Sequence, residues 1–411
     1  MKIKNMENNK QENFKERMKE VYNLIEEKLS YIPEKLRIPI QKELDMIKKL
    51  IIDSRAPRFA FVGRRGAGKS NLLNAIFGSE KAKTGDVVAQ TIIGKWYNYK
   101  NKNGSMEILD TRGLNEGKNP QKALEDVKLC LDDKLPDAFI FLNKATEVDA
   151  HINTDIESLC KLYGHVTEKY SYEIPIITVA TQSDQMNPSL DNKPPYKEKK
   201  LKNLDKAIDH LNNKVNEKIP NNTYKIAVSS LMEFDEKGKI TIDYRWNIDK
   251  LIELLLEHIP QSAQLELAKI GQMKTLQKKI ARKIEYSAAT ICSAIAFEPL
   301  PIADMPLITG VQLSMIIGIG YIGGYELNKE TAKEFLSAMG LNVGGAFLFR
   351  ELARGLIKLI PGFGSFISSA IAFASTIAIG EAAIAYFIGK KSKEETKSIY
   401  DKKYKELKDK K

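Results

Sequence analysis

From Gly63 to Ser70 the chain reads GRRGAGKS, the spacing G-x-x-x-x-G-K-[ST], between the apolar run FAFV and the helix-forming run KSNLLNAIF. That is the context a phosphate-cradling loop requires. Glycines let backbone N–H groups turn inward around phosphate oxygens, and a helix starting near Lys69 aims the positive end of its dipole at the same place. The expected cradle is Gly63, Arg64, Arg65, Gly66, Ala67, Gly68, Lys69, Ser70 and Asn71. Lys69 is positioned to reach the β- and γ-phosphates of a nucleotide, and the Ser70 hydroxyl to ligate Mg²⁺.

The loop alone does not separate GTP from ATP, or a kinase from a hydrolase. EILDTRGL adds Asp110 at a strand end with Gly113 three residues on, a D-x-x-G spacing in which the carboxylate holds Mg²⁺ through water and the glycine amide meets the γ-phosphate. Thr91, in VVAQTII, sits where a threonine can close on Mg²⁺ when a γ-phosphate is present, with Thr84 as the alternative. VATQSD ends a later apolar run with Thr181, Gln182 and Asp184, whose carboxylate can accept hydrogen bonds from the edge of a guanine ring. AVSS then offers Ser229 and Ser230 to the base from a final strand.

Such residues must be carried on strand ends, and the sequence supplies them. FAFVG, MEILD, AFIFL, IPIITVAT and YKIAVSS are short apolar runs alternating with amphipathic helical stretches, the pattern of a mainly parallel α/β sheet buried on both faces. This region spans 58–259. Before it, residues 1–57 carry apolar positions at helical spacing that predict a helical hairpin broken at Pro33. After it, residues 260–411 form an apolar helical region with a charged tail. With 411 residues and 43% hydrophobic content, a full core is available. The net charge of +11 favours anionic partners without choosing among them. Cys130, Cys160 and Cys292 are too far apart to suggest a disulfide framework or a zinc site. The hydrophilic N-terminus has no secretory-signal pattern, so a cytoplasmic location is expected for the 58–259 region.

Over 58–259 the order and spacing of GRRGAGKS, QT, DTRG, TQSD and SS resemble the five nucleotide motifs of Era-like, septin- and dynamin-related, translation-factor-class P-loop GTPases. The resemblance implies a GTP/GDP-binding, Mg²⁺-dependent switch. NKAT at Asn143 looks like the family's N-K-x-D but lacks the aspartate and falls one strand early. Two departures matter. Gln182 stands where a lysine normally stacks on the base, which leaves guanine preference open, and Leu114 stands where many relatives carry a water-orienting glutamine, so slow hydrolysis is expected. Arg65, or Arg64 acting across a homodimer, is a candidate arginine finger; pairing of these arginines with surface carboxylates is the alternative. The basic run Lys197–Lys200 reads as a solvated face.

With the proline-flanked entry EPLPIADMP, the turn IPGFG and the helical run AIGEAAIAYF, residues 298–390 resemble the C-terminal domain of unknown function of YcjF-like bacterial inner-membrane proteins. Two uncharged windows, 305–325 and 359–380, are each long enough to span a bilayer core of about 30 Å. Flanking lysines and arginines suit a hairpin at the inner face of the cell membrane. Arg350, Arg354, Lys358, Pro361 and Gly362 count against it, and a water-soluble bundle with all-apolar central helices remains open. A nucleotide-dependent membrane scaffold with little turnover and a P-loop ATPase are the rival functions. Nucleic acid has only net charge in its favour, since no aromatic-interleaved basic patch is present.

Overall fold

A computed structural model describes residues 2–30, 34–80, 95–101, 104–111, 120–149, 152–220, 222–297, 304–341, 355–357, 359 and 368–409. The chain divides into two compact units, residues 56–271 and residues 1–55 with 272–411. The two outer segments, separate in the sequence reading, therefore pack together.

In the first unit the described residues form a six-stranded sheet of order β2-β3-β1-β4-β5-β6. Strands β1 (Arg58–Val62), β3 (Gly104–Asp110), β4 (Ala138–Lys144), β5 (Ile176–Thr181) and β6 (Thr223–Ala227) run parallel, and β2 (Lys95–Asn101) is an antiparallel edge. The central strands bury both faces because nearly every residue is apolar: Phe59, Ala60, Phe61 and Val62 of β1 and Phe139, Ile140 and Phe141 of β4 are all buried. Each large side chain so buried contributes about 1.5–3 kcal/mol. Helix α3 (Lys69–Phe77) follows β1, and α4 (Pro120–Asp133), α5 (Ile152–Tyr170) and α6 (Glu198–Asn216) supply apolar stripes at helical spacing, such as Ile152, Ile156, Leu159, Leu162 and Val166.

Two features differ from the sequence reading. YKIAVSS is not one strand: β6 ends at Ala227, and Ser229 opens β7 (Ser229–Phe234), which pairs antiparallel with β8 (Ile240–Trp246) as a separate hairpin. Arg245 of that hairpin donates Nη1 to the Ala75 carbonyl of α3 at 3.0 Å. The unit also runs past residue 259. After α7 (Ile248–His258), helix α8 (Gln261–Gly271) returns to the sheet, where the Ser105 amide of β3 donates to Glu266 Oε1 at 2.7 Å.

The second unit is helical. It contains α1 (Lys2–Leu29), α2 (Glu34–Ile47) running into a π turn (Lys48–Ile52), α9 (Lys274–Ile295), α10 (Asp304–Ile322), α11 (Lys329–Ala338), α12 (Ser369–Ala383) with a second π turn (Ile384–Ile388), and α13 (Lys393–Lys408). The N-terminal helices close on the later ones at small residues. A Cβ on Gly310 would fall 2.8 Å from Val21, and one on Gly318 would fall 2.8 Å from Ile51. Polar contacts fix the register: the hydroxyls of Tyr22 and Ser314 lie 2.6 Å apart, and Ser287 donates to Glu43 Oε2 at 2.6 Å. α10 is buried from Leu307 to Ile322. Among the described residues one segment, Ser369–Ile388, is long and apolar enough to cross a membrane, with mean hydropathy 1.8, and 67% of it is buried inside the protein. Arg350, Arg354, Lys358, Pro361 and Gly362 lie outside the described residues.

Candidate nucleotide site

The loop from Gly63 to Gly68 leaves the carboxyl end of β1 and enters α3. Its path demands glycine. Gly63 has φ +150° and its missing Cβ would collide with the Leu142 carbonyl, while Gly66 (φ +79°) and Gly68 (φ +87°) are left-handed. Gly68 is the N-cap of α3, so the first-turn amides of that helix have no partner within it and point toward the loop. Lys69 is 7% exposed, and its ammonium lies inside the turn, donating to the Arg64 carbonyl at 2.8 Å and to the Gly63 carbonyl. Ser70 is half-buried and Asn71 is exposed.

Neighbouring strand ends close on this loop. Asp110, buried, lies opposite Phe61 in the β1–β3 register. The next residue, Thr111, donates its hydroxyl to the Phe61 carbonyl at 2.9 Å, which pins the end of β3 to β1. From the end of β5, the fully buried Thr181 donates to the Ala67 carbonyl at 2.8 Å, and Gln182, at φ +55°, donates Nε2 to the Gly66 carbonyl at 2.8 Å. Gln182 thus spends its amide on the phosphate loop. Asn143 of β4 offers its carbonyl to Thr181 at 3.2 Å, and Lys144 pairs with Glu147 at 2.8 Å, so NKAT borders the loop at the end of β4, one strand before the segment that carries Asp184.

Asp184 is held at both ends. Ser229 donates its hydroxyl to Oδ1 at 2.9 Å, and the Lys200 ammonium donates to the Asp184 main-chain carbonyl at 2.6 Å. Ser229 and Ser230 are buried, and Ser229 reaches Asp184 from the start of the β7–β8 hairpin. The two loop arginines diverge. Arg64 Nε donates to Asp155 Oδ2 of α5 at 2.8 Å, and that carboxylate is 7% exposed; Arg65 is exposed. Thr84, Thr91, Gly113 and Leu114 lie outside the described residues.

Lys200, read from the sequence as part of a solvated run, is fully buried. It occupies the inward stripe of α6 with Leu204, Ile208, Leu211 and Val215, and that i, i+4 spacing was the available signal. Asp155 was the other residue missed. It lies on the buried side of α5 beside Ile156 and Leu159, where a carboxylate requires a partner.

The strand order, the antiparallel β2 and the glycine loop between β1 and α3 define a P-loop GTPase α/β fold. Residues 58–182 match the family described as 50S ribosome-binding GTPase, and residues 261–409 match a domain of unknown function, DUF697. The chain is 33% identical over 105 residues to GTPase Der of Neisseria meningitidis serogroup B, covering 26% of this chain and 19% of that protein. It therefore spans less than a fifth of the length of the curated relatives it matches. Among solved structures, a dimerization-deficient mutant of Toc33 from Arabidopsis thaliana is similar at 14% identity and TM-score 0.37, covering 58% of this chain and 94% of that one. Era, in a complex with MgGDPNP and a 16S ribosomal RNA fragment, is similar at 19% identity and TM-score 0.31, covering 58% and 68%.

Proposed function

We propose that this protein binds guanine nucleotide at the Gly63–Asn71 loop, hydrolyses GTP slowly, and acts as a molecular switch whose state is read by its helical unit. The observation that carries this reading is the strapping of Thr181 and Gln182 to the carbonyls of Ala67 and Gly66, which brings a phosphate cradle and a base-side carboxylate onto one frame. Asp184, oriented by Ser229, accepts the N–H groups on the guanine edge; adenine presents no matching donors there. Ser70, Asp110 and Thr91 are hard oxygen donors of the kind Mg²⁺ takes, and the glycine cradle that a Cβ would obstruct suits phosphate oxygens. Bound there, Mg²⁺ would supply charge neutralisation at the β- and γ-phosphates.

Lys69 neutralises phosphate charge, the amides of α3 hold the β-phosphate, and Arg65 stabilises charge developing in the transition state. Leu114 in the water-orienting position keeps the monomer slow, so pairing of two copies through this domain would raise turnover. The burial of α10 and of two thirds of Ser369–Ile388 supports a helical unit whose apolar segments are core, with contact to a protein partner or to the inner face of a membrane made by its surface.

The test is titration of the full chain with labelled GTP, GDP and ATP in Mg²⁺, beside Lys69→Ala and Asp184→Asn. Guanine nucleotides should bind selectively, Lys69→Ala should abolish binding, and Asp184→Asn, with an amide in place of the acceptor, should transfer preference to xanthine nucleotides. Equal binding of ATP would reduce the reading to a P-loop nucleotidase without a guanine reader.

A further inference from the structure

Lys200 stands in the first turn of α6, where the helix dipole disfavours a cation, and it is fully buried, with no carboxylate bonded to it among the described residues. Such a residue has to be compensated. Its three N–H donors are accounted for: the Asp184 carbonyl at 2.6 Å, the Asp191 carbonyl at 2.6 Å, and the face of the Tyr196 ring, whose centroid lies 4.7 Å away. Burial pushes the ammonium below the usual lysine range, with Asp191 and Asp184 opposing.

These contacts close into a ring. Tyr196 packs on Trp246 at 5.0 Å between centroids, Trp246 of β8 is the register partner of Ser229, and the Ser229 hydroxyl returns to Asp184 Oδ1. The segment between is tied down as well, since Asp191 Oδ2 accepts from the Lys197 amide at 2.8 Å. Lys200 therefore holds the main chain of the residue whose side chain Ser229 holds, and joins it to the 185–197 segment.

We propose that Lys200 is a positioning residue for base recognition: by gathering the Asp184 and Asp191 carbonyls it fixes the angle of the base-reading carboxylate and couples the 185–197 segment to the base. This rests on the guanine reading above.

Inosine diphosphate serves as the probe, because it keeps N1–H and lacks the 2-amino group, and inorganic pyrophosphate reports on the phosphate loop alone. In wild type GDP should bind at least about tenfold tighter than IDP, the worth of one charge-assisted hydrogen bond. Lys200→Met should bring that ratio below about threefold, with pyrophosphate affinity unchanged, and Lys200→Arg should recover part of it. A Met variant that keeps the wild-type ratio, or that loses pyrophosphate and GDP in parallel, overturns the proposal. A wild type without preference for GDP over both IDP and ADP overturns the guanine reading itself. Should Lys200→Met fail to fold, amide hydrogen exchange on the wild-type chain decides: GDP, and not pyrophosphate, should slow exchange across 185–200, and equal slowing by both refutes the coupling.

Discussion

The Thr181 hydroxyl donates to the Ala67 carbonyl at 2.8 Å, so the strand that ends in the base-side segment is bonded directly to the loop that would cradle phosphate. Thr181 is fully buried, and the Asn143 carbonyl sits 3.2 Å from the same hydroxyl. Thr181→Val keeps the shape and removes the donor. It should cost about 1–3 kcal/mol, because a buried carbonyl loses its partner. Urea denaturation measures that loss, and affinities for GDP and pyrophosphate should fall together because the loop loosens.

The two loop arginines should separate in experiment. Arg64 is committed to a buried carboxylate, so Arg64→Ala should lower stability by about 1–2 kcal/mol, a figure tempered by the half-buried guanidinium. Arg65→Ala should leave the melting temperature nearly unchanged and lower GTP turnover by at least about tenfold at unchanged GTP affinity. Paired calorimetry and turnover assays check both; equal turnover in Arg65→Ala and wild type removes the arginine-finger role.

The helical unit carries its own titration. Glu285 of α9 is buried, and its Oε1 has no hydrogen-bond partner among the described residues. Burial, reinforced by Glu381 and opposed by Arg282 and Lys403, pushes its carboxyl up to about 8. The unfolded chain releases that proton near the ordinary value of 4.5, so between those limits the folded state holds a proton that the unfolded state lacks. Stability from this group is thus full below about pH 4.5 and falls as pH rises toward 8, by about 1.4 kcal/mol per pH unit at most. Glu285→Gln should flatten that dependence, and the gap between variant and wild-type melting temperatures should widen from pH 5.5 to pH 8.

The same carboxylate leans on a glycine. A Cβ on Gly380 would fall 2.8 Å from Glu285 Oε1. Gly380→Ala should destabilise the helical unit by about 1–3 kcal/mol through overpacking, while GDP affinity at the glycine loop of the other unit stays unchanged. Circular dichroism melting and a GDP titration separate the two effects.

The glycine loop and the strand ends beside it were legible because their marks are local: glycines at fixed offsets, Lys69 and Ser70 beside them, and aspartates at the ends of apolar runs. What escaped notice was relational. KWYNYKN did not read as a strand because this edge strand mixes exposed and half-buried side chains instead of forming an apolar run. Lys200 passed for surface because its partners are main-chain carbonyls, which no sequence displays. Ser229 was expected on the same strand as YKIA, and the structure puts it beside Asp184 at the start of a hairpin that the sequence reading merged with that strand. The union of the outer segments rests on Tyr22 with Ser314 and Glu43 with Ser287, pairs that lie hundreds of residues apart in the chain.

That union imposes an order of assembly. During synthesis α1 and α2 emerge first, yet the surfaces that meet Val21, Tyr22, Glu43 and Ile51 are made last, after all of residues 56–271. The α/β unit is contiguous and can close on itself while the chain is still growing, whereas the helical unit must await the final helix pair and bring together ends separated by a finished domain. Long closure costs little free energy, about 0.6 kcal/mol per doubling of the intervening chain, so the burden falls on rate and not on stability. A chain interrupted within residues 272–411 would leave a closed α/β unit attached to two sticky orphan helices.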